Sequence, residues 1–342
     1  MKNIYYDYII SNDKTNIRAF LCITLNKFIY IIILFCILKY INIIFSDILH
    51  SYFKCKNCIN MKNIYSKCFN CSIDDLFQSI KIMSVEETLN EILNKKKSIA
   101  RFGDGEFNLI FGKKIRFQIF NKTLRDLLLK VLNADIPNFL VGIIPLANNT
   151  NPYLVNYINK NKFKLFNIIN KNKIYYNSLI TRFFSDSRLN KVEKKNYIMK
   201  FKQIWNNRNI LIIEGEKTRL GIGNDLLNNC KSIKRIICPT KNAFNVFTKV
   251  YEFVKNLKLD MNILILISLG PTASVLSYEL HKLGYQTLDF GHFDIQYEYF
   301  IRNVTKKIKI STKYVNEVEG GDTNIIPIKD KNYYKQIIFK AF

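Results

Sequence analysis

The chain has 342 residues, of which 48% are hydrophobic and 14% aromatic, so it can bury a large core and global disorder is excluded. Its formal net charge of +25 favours phosphate-bearing partners, namely nucleic acid, nucleotides or anionic lipid. Compositional drift toward Lys and Asn explains the charge equally well. No block of Lys and Arg has the length of a nucleic-acid-binding arm, so nucleic acid is the less favoured partner.

The N-terminal segment, residues 1–50, contains a largely apolar run at 28–45 in which Lys39 is the charged residue. The run predicts a membrane anchor or an interfacial helix, and the alternative is a helix docked on the protein. Positive charges flank both of its ends, so the orientation cannot be deduced. No small-residue cleavage site follows the run, which argues against a cleaved signal peptide.

A Cys-rich segment at 51–72 comes next, and its thiols form two C-x2-C pairs. These are Cys55 with Cys58 and Cys68 with Cys71. Paired C-x2-C knuckles can hold Zn²⁺ tetrahedrally, and neighbouring lysines favour the thiolate form. The segment therefore predicts a structural zinc site. Disulfides and free thiols are the alternatives that the sequence leaves open.

Residues 73–317 alternate between helix and strand patterns. Ser72 with Asp75 and Ser84 with Glu87 form capping-box-like starts of the first two predicted helices. The predicted strands are SIARF, FLVGIIP, NILIIEG, RIICP, NILILIS and QTLDF. The predicted helices are SIDDLFQSIKIM, SVEETLNEILNKK, TLRDLLLKVLN, a segment near 152–160, a helix at the end of EKTRLGIGNDLLNN, KNAFNVFTKVYEFVKNL and PTASVLSYELHK.

Continuous apolar strands that alternate with helices predict an α/β fold with a Rossmann-like, doubly wound, mostly parallel sheet. Residues 318–342 are expected to form a C-terminal tail. Ligands of such sheets bind beyond the carboxyl ends of the strands. Four loops occupy those positions here: 103–107, 215–224, 270–273 and 291–298.

The first loop, RFGDGEF, carries Asp104 and Glu106 between glycines. In an extended segment, residues two apart point to the same side, so both carboxylates are expected to face one way. Paired oxygen ligands suit Mn²⁺ or Mg²⁺ bridging a diphosphate. The alternative for this short motif is a solvated turn.

The second and third loops have features of phosphate-binding turns. In the second, Gly221 and Gly223 precede Asn224, and Arg219 is available to neutralise phosphate. In the third, Gly270 turns the chain into a helix that begins with Pro271 and Thr272. Each loop taken alone is equally well explained as an ordinary helix start.

The fourth loop gathers four titratable residues within a short span: Asp289, His292, Asp294 and Glu298. His292 is one of only 3 histidines in the chain. A histidine in an acidic cluster after a strand is a candidate metal ligand or acid–base group. A structural histidine is the alternative.

Five motifs, in this order, resemble the GT-D type glycosyltransferase family, long catalogued as a bacterial domain of unknown function. They are RFGDGEF, TRFFSD, IWNNRNILIIEGEKTRLGIGNDLL, LGPTASVLSYEL and GYQTLDFGHFDIQYEYF. The resemblance covers about residues 80–317 and leaves out the Cys-rich segment. It implies a Rossmann-like fold and transfer of a hexose from a nucleotide sugar, typically a UDP-sugar, to a glycan or glycoprotein acceptor.

The resemblance also implies a metal-associated Asp-x-Glu motif, which falls on Asp104 and Glu106. The catalytic candidates are Asp294, the first choice as base, then Glu298 and His292. The candidate substrate-binding residues are Arg101, Arg182, Arg219, Gly221, Gly223, Asn224, Asp225, Gly270, Pro271, Thr272 and Asp289. The chain departs from the family pattern at Gln296, where a glutamate is expected.

Three hypotheses follow. The leading one is a metal-dependent glycosyltransferase that is membrane-associated through 28–45 and has its catalytic domain in the cytoplasm. The second is a basic nucleic-acid-binding protein with a zinc knuckle. The third is a catalytically inactive glycosyltransferase-like scaffold at a membrane, which the departure at Gln296 suggests.

Overall fold

The computed structural model describes residues 75, 77–147, 151–184 and 189–342. The predicted membrane segment 28–45 and the four clustered cysteines therefore lie outside the described residues, and both stay predictions. Within the described part of the chain, none of the helices combines the length and the apolar character needed to cross a bilayer.

The described strands form one parallel sheet in the order β3-β2-β1-β7-β6-β4-β5-β8. Every pairing between neighbours is parallel, so the prediction of a mostly parallel sheet is confirmed. The strands are β1 (Ser98–Phe102), β2 (Phe139–Ile143), β3 (Tyr176–Asn177), β4 (Asn209–Gly215), β5 (Ser232–Cys238), β6 (Leu264–Ser268), β7 (Gln286–Asp289) and β8 (Ile337–Lys340).

The helices lie between the strands, as parallel connections require. They are α1 (Val85–Lys95), α2 (Asp104–Ile110), α3 (Lys122–Leu132), α4 (Pro152–Ile168), α5 (Lys191–Ile204), α6 (Phe247–Asn256), α7 (Pro271–His281), α8 (Phe293–Ile301) and α9 (Lys331–Gln336). The predicted capping box of α1 is present: the Ser84 amide donates to Glu87, and the Glu87 amide donates to Ser84 Oγ.

Helices cover both faces of the sheet, and β4 shows why its sequence is continuously apolar. Leu211 and Ile213 pack in the cluster that contains residues of α6 and α7. Ile210 and Ile212 point the other way and pack with residues of α1 and α5. A strand buried on both faces has no polar side, which explains the unbroken run NILII.

Three predicted elements differ in the structure. Residues 216–229 form successive turns instead of a loop that leads into a helix. The predicted fourth loop is largely helix α8, which is buried along most of its length and so shows no amphipathic period. The predicted tail at 318–342 contains α9 and β8, and β8 pairs with β5 as an edge strand.

Candidate active site at the carboxyl edge of the sheet

The four loops singled out by sequence follow β1, β4, β6 and β7. These strands are consecutive in the sheet, in the order β1-β7-β6-β4. Because all strands are parallel, the four loops emerge at one edge. The structure therefore confirms that they are neighbours, and this edge is the candidate site.

Asp104 and Glu106 are not in an extended segment, so the predicted arrangement of their side chains is wrong. Both lie in the first turn of α2, where residues two apart diverge around the axis. Glu106 turns back and accepts a hydrogen bond from the Gly103 amide at 2.8 Å. Their role as metal ligands stays a prediction.

Asp104 is contacted by two tyrosines of α4. The hydroxyl of Tyr153 donates to Asp104 Oδ2 at 2.6 Å, and the hydroxyl of Tyr157 donates to the Asp104 carbonyl at 3.3 Å. The hydrogen bond to Asp104 and burial raise the pKa of Tyr153 to about 12, so its hydroxyl stays a donor. Tyr153 holds the carboxylate in one orientation while 61% of its own surface is exposed.

The surroundings of Glu106 are electronegative. Burial and the charge of Asp289 raise the pKa of Glu106 to about 7. No three His, Cys, Asp or Glu side chains form a metal-binding group within the described residues. Two hard carboxylate donors fit Mn²⁺ or Mg²⁺ when substrate phosphate and water supply the other ligands. The carboxylate chemistry of Asp104 and Glu106 therefore suits such an ion, whereas their side chains diverge in this structure and Glu106 caps the Gly103 amide.

The guanidinium of Arg101 forms its hydrogen bonds within the protein. It donates to Asp289 Oδ1 at 2.9 Å, to the Asp289 carbonyl at 2.7 Å and to the Ser178 carbonyl at 3.1 Å. The Asp289 carboxylate also accepts from Ser274 Oγ at 3.0 Å. This pair ties β1 to β7, so the predicted substrate contacts by Arg101 and Asp289 compete with structural contacts.

The ion pair of Arg101 with Asp289 depends on the absence of a side chain at Gly291. Gly291 has a φ of +50°, and a Cβ there would lie 1.9 Å from Arg101 Nη2. We expect Gly291→Ala to lower the free energy of unfolding by about 2–4 kcal/mol, because Arg101 must leave Asp289 and the backbone is strained. Gly223→Ala is the matched control, with a φ of +79° and no atom within 4 Å. It should cost only about 1 kcal/mol. Urea unfolding measures both, and equal losses would contradict the role of the Arg101 contact.

The glycine loop after β4 is held by carboxylates. Asp294 Oδ1 accepts from the Gly221 amide at 3.0 Å and from Asn224 Nδ2 at 2.9 Å. The Leu220 amide donates to Glu214 Oε2 at 2.7 Å. Side chains thus satisfy amides that a helix would pair internally, which explains why this segment forms turns.

Asp294 and Glu298 are one turn apart on α8 and share the buried ammonium of Lys313. Lys313 Nζ lies 2.6 Å from Asp294 Oδ2 and 3.0 Å from Glu298 Oε1. Asn224 and Arg302 also donate to Glu298. A base needs access to substrate and an available lone pair. These contacts favour a structural role, and the predicted role as base remains untested. Gln296 lies between them on the same buried helix.

A segment without helix or strand, residues 305–326, crosses the carboxyl edge; we call it the strap. The Tyr314 amide donates to the Lys217 carbonyl at 2.8 Å. Arg219 Nη1 donates to the carbonyls of Thr312 at 2.7 Å and Ile326 at 2.6 Å. Arg219 was predicted to bind phosphate, but its guanidinium holds the strap here.

Glu317 of the strap is surrounded by cationic groups. Arg182 forms an ion pair with it, Lys307 Nζ lies at 2.6 Å, and His292 Nδ1 lies at 3.1 Å. Arg182 follows β3 and His292 follows β7, so the strap joins two predicted site residues from different strands. The charge of Glu317 also contributes to the raised pKa of Tyr153, the partner of Asp104. Glu317 and Asp104 therefore act on the same region.

Several polar side-chain atoms near this edge are buried without a hydrogen-bond partner. Thr181 follows β3, Thr240 follows β5 and Thr272 follows β6, and each has such a hydroxyl. Tyr314 Oη and Asn316 Oδ1 of the strap are also buried without a hydrogen-bond partner. Buried polar atoms without partners are rare and require an explanation such as a ligand or water. Their position supports a polar ligand site at this edge.

The glycine loop also lines a cavity of about 440 Å³. Gly221, Gly223, Asn224 and Asp225 were all predicted to bind substrate, and all four line it together with Ile222, Leu227, Asn228, Ile233, Arg235, Asp330 and Gln336. No residue of α2 or α7 is in that lining. The cavity thus lies on the β5 side of the loop, and Asp104 belongs to a different part of the edge. Asp225 contacts Lys202 at 2.8 Å and Tyr297 at 2.5 Å.

Sequence reasoning missed Lys313, Glu317, Tyr153 and the buried ion pair of Glu214 with Arg235. Arg235 Nη1 donates to Glu214 Oε1 at 2.6 Å, and both side chains are almost fully buried. A charged residue on each of two buried, adjacent strands was a usable signal for that pair. Lys313 and Glu317 lie in an irregular segment, where no periodicity indicates their partners.

The parallel sheet, covered by helices and carrying a polar site at its carboxyl edge, defines an α/β protein of Rossmann-like architecture. The family model for the glycosyltransferase GT-D fold matches residues 99–318. The chain therefore belongs to the GT-D glycosyltransferase family, as the resemblance of its motifs predicted.

Two curated relatives come from streptococci. Glycosyltransferase GlyD of Streptococcus pneumoniae is 34% identical over 268 residues, which cover 76% of this chain and 32% of the relative. The probable glycosyl transferase Gly of Streptococcus gordonii is also 34% identical, over 76% of this chain and 39% of its own length. The chain thus spans between 32% and 39% of the length of these relatives.

Solved structures show the same fold. A glycosyltransferase from Streptococcus sanguinis superposes with a TM-score of 0.72 at 33% identity, over 77% of this chain and 100% of that chain. A second structure, described as domain of unknown function 1792 with a distinct glycosyltransferase fold, has a TM-score of 0.73 at 31% identity. That match covers 79% of this chain and 98% of the other.

Proposed function

We propose that this protein transfers a hexose from a nucleotide sugar, a UDP-sugar, to a glycan or glycoprotein acceptor with the aid of Mn²⁺ or Mg²⁺. The observation that carries the proposal is the fixed, partly exposed carboxylate of Asp104 at the same edge as buried polar atoms without partners. A diphosphate needs both features: a carboxylate-bound cation against its charge, and polar groups around its oxygens.

Asp104 and Glu106 would hold the cation, whose chemistry is to neutralise charge on the leaving diphosphate. Tyr153 keeps the Asp104 carboxylate oriented. Thr272, in the first turn of α7, offers a hydroxyl and lies where the helix dipole favours an anion. The Asp294 network fixes the glycine loop, so that this part of the carboxyl edge is ordered before substrate binds.

The test is release of UDP from a panel of UDP-sugars, with water or a glycan as the acceptor. We expect turnover of at least one donor with Mn²⁺, and a loss of about 100-fold or more when the metal is removed with EDTA. Adding Mn²⁺ back should restore the rate. If the folded protein neither binds nor consumes any nucleotide sugar, this function is excluded.

A catalytically inactive relative is the second candidate, because Gln296 stands fully buried where the family pattern has a glutamate. It predicts nucleotide-sugar binding without turnover of any donor. Gln296→Glu would then be the informative variant. A gain of turnover would favour the inactive scaffold, whereas wild-type turnover excludes it.

The proposal extends to the N-terminal segments outside the described residues. Residues 28–45 would associate the enzyme with a membrane, and Cys55, Cys58, Cys68 and Cys71 would hold Zn²⁺. Metal analysis of the purified full chain tests the second point. One equivalent of zinc, lost when Cys55 and Cys58 are both changed to Ser, is the expected result.

A further inference from the structure

His292 lies at the carboxyl end of β7, immediately before α8. Its Nδ1 atom is buried and makes no well-aligned hydrogen bond within the described residues, whereas 29% of the side chain is exposed. The side chain therefore faces inward with Nδ1 and outward with the rest of the ring. Within the described part of the chain, Nε2 makes no hydrogen bond, and it is not among the buried atoms. Nε2 is thus accessible to solvent at the carboxyl end of β7.

The inward side of His292 faces Glu317, whose Oε1 lies 3.1 Å from Nδ1. Although burial raises the pKa of Glu317, its contacts with His292 and Arg182 outweigh burial and hold that pKa well below the usual range. Glu317 is therefore a carboxylate at any working pH. A small rotation of the ring would align Nδ1–H with this carboxylate, and the tautomer with its proton on Nδ1 carries a lone pair on Nε2.

We propose that His292 is the general base that deprotonates the acceptor hydroxyl, and that Glu317 is the positioning residue that fixes its ring and tautomer. This inference rests on the proposed function and adds the identity of the base, which the sequence had placed first at Asp294. The same logic holds in other enzymes where a carboxylate orients a catalytic imidazole.

The step balances without a further reactant. The acceptor oxygen forms the new bond to the anomeric carbon as its proton passes to Nε2. The bond from the anomeric carbon to the diphosphate oxygen breaks, and its electron pair leaves with the nucleotide diphosphate. His292 becomes an imidazolium that faces Glu317, and it loses the proton to solvent before the next turnover. Direct displacement of this kind inverts the anomeric configuration.

The charged groups near His292 favour His292 as the base over Asp294 and Glu298. Arg182 and Lys307 also form ion pairs with Glu317, so cationic groups other than His292 stabilise its charge. Asp294 and Glu298 are buried against Lys313 and cannot approach a substrate without breaking that contact. Tyr153, the partner of Asp104, is close enough to Glu317 for the charge of Glu317 to help raise the pKa of Tyr153. Among the described titratable groups that follow β7, His292 has a solvent-accessible nitrogen, whereas Asp294 and Glu298 are held by Lys313.

The first experiment uses His292→Ala in the full chain, with Mn²⁺ and the donor that wild type consumes. We expect kcat to fall by about 100-fold or more while donor affinity changes little. Added imidazole should restore part of the rate, because a free imidazole can occupy the space and accept the proton. Failure of imidazole to restore any rate, at an unchanged donor Kd, would overturn the role of His292 as base.

The second experiment separates positioning from folding at Glu317. Glu317→Gln is expected to lower kcat by about 10- to 100-fold with little change in donor Kd, and Glu317→Asp should recover part of that loss. Glu319→Gln is the matched control, because Glu319 is an exposed carboxylate of the same strap. If Glu317→Gln instead binds donor more tightly and keeps its kcat, Glu317 competes with substrate and the inference is wrong.

The third measurement is the anomeric configuration of the product, read by NMR against that of the donor. Inversion is expected, and retention would exclude a base-assisted direct displacement. If the proposed function is wrong, wild type consumes no nucleotide sugar. If only the role of His292 is wrong, wild type is active, but the variants or the product anomer differ from the expected results.

Discussion

Replacing Asp104 by Asn should lower kcat for sugar transfer by about 100- to 1000-fold while the fold stays intact. The amide keeps the size of the side chain and can still accept a hydrogen bond from Tyr153, which in the native protein lies 2.6 Å from Oδ2. It loses the negative charge that would hold a divalent cation against the diphosphate. The loss should therefore appear in turnover and in the Mn²⁺ concentration needed for half-maximal rate.

Asp126→Asn is the matched control. Asp126 is a partly exposed carboxylate of α3 that contacts Lys122 and Arg125, so its replacement removes the same charge away from the edge of the sheet. We expect wild-type kinetics from this variant. The assay follows UDP release as a function of Mn²⁺ concentration for both variants. Identical metal dependence in Asp104→Asn and wild type would remove Asp104 from the metal site.

Tyr153 offers a milder perturbation of the same carboxylate. Its hydroxyl orients Asp104, and no other described residue donates to Asp104 Oδ2. Tyr153→Phe should raise the Mn²⁺ requirement by about 10-fold, with a smaller change in maximal rate at saturating metal. A metal titration of UDP release measures this. An unchanged titration would show that the orientation of Asp104 comes from the helix alone.

The sequence predicted the parallel sheet and the edge that carries the site because both depend on local patterns. Continuous apolar runs such as NILII indicate strands buried on both faces, and the chain order of strands and loops then places the loops at one edge. The motif resemblance predicted the family. No further tertiary information was needed to predict that the loops after β1, β4, β6 and β7 lie at the same edge of the sheet.

The side-chain arrangement at the site could not be predicted in the same way. Asp104 and Glu106 were expected to be extended because they follow the strand SIARF, yet β1 ends at Phe102 and Gly103 is the N-cap of α2. The buried helix α8 has apolar and polar residues on every side, since its carboxylates are neutralised by Lys313 from the strap. Only the folded chain brings that lysine to α8, so Asp294 looked like an available base.

The ammonium of Lys313 gives the largest expected effect on stability. We expect Lys313→Met to lower the free energy of unfolding by about 3–5 kcal/mol, because it leaves two buried carboxylates without their shared cation. Burial raises the pKa of Glu298, but Lys313, Asn224 and Arg302 outweigh burial and lower it below its ordinary value. The stability linked to that lowered pKa is present above pH ~4.5 and is lost as the pH falls below it. The deficit of Lys313→Met should therefore be full at neutral pH and shrink in acid.

Lys309→Met is the control, since Lys309 is an exposed lysine of the same strap. Its replacement should change the free energy of unfolding by no more than about 0.5 kcal/mol. Urea unfolding of wild type and both variants at neutral and acidic pH measures the difference directly. A deficit that is the same at both values would mean that Lys313 stabilises the fold by packing alone. The carboxylates of α8 would then not need its charge, and Asp294 would return as a candidate base.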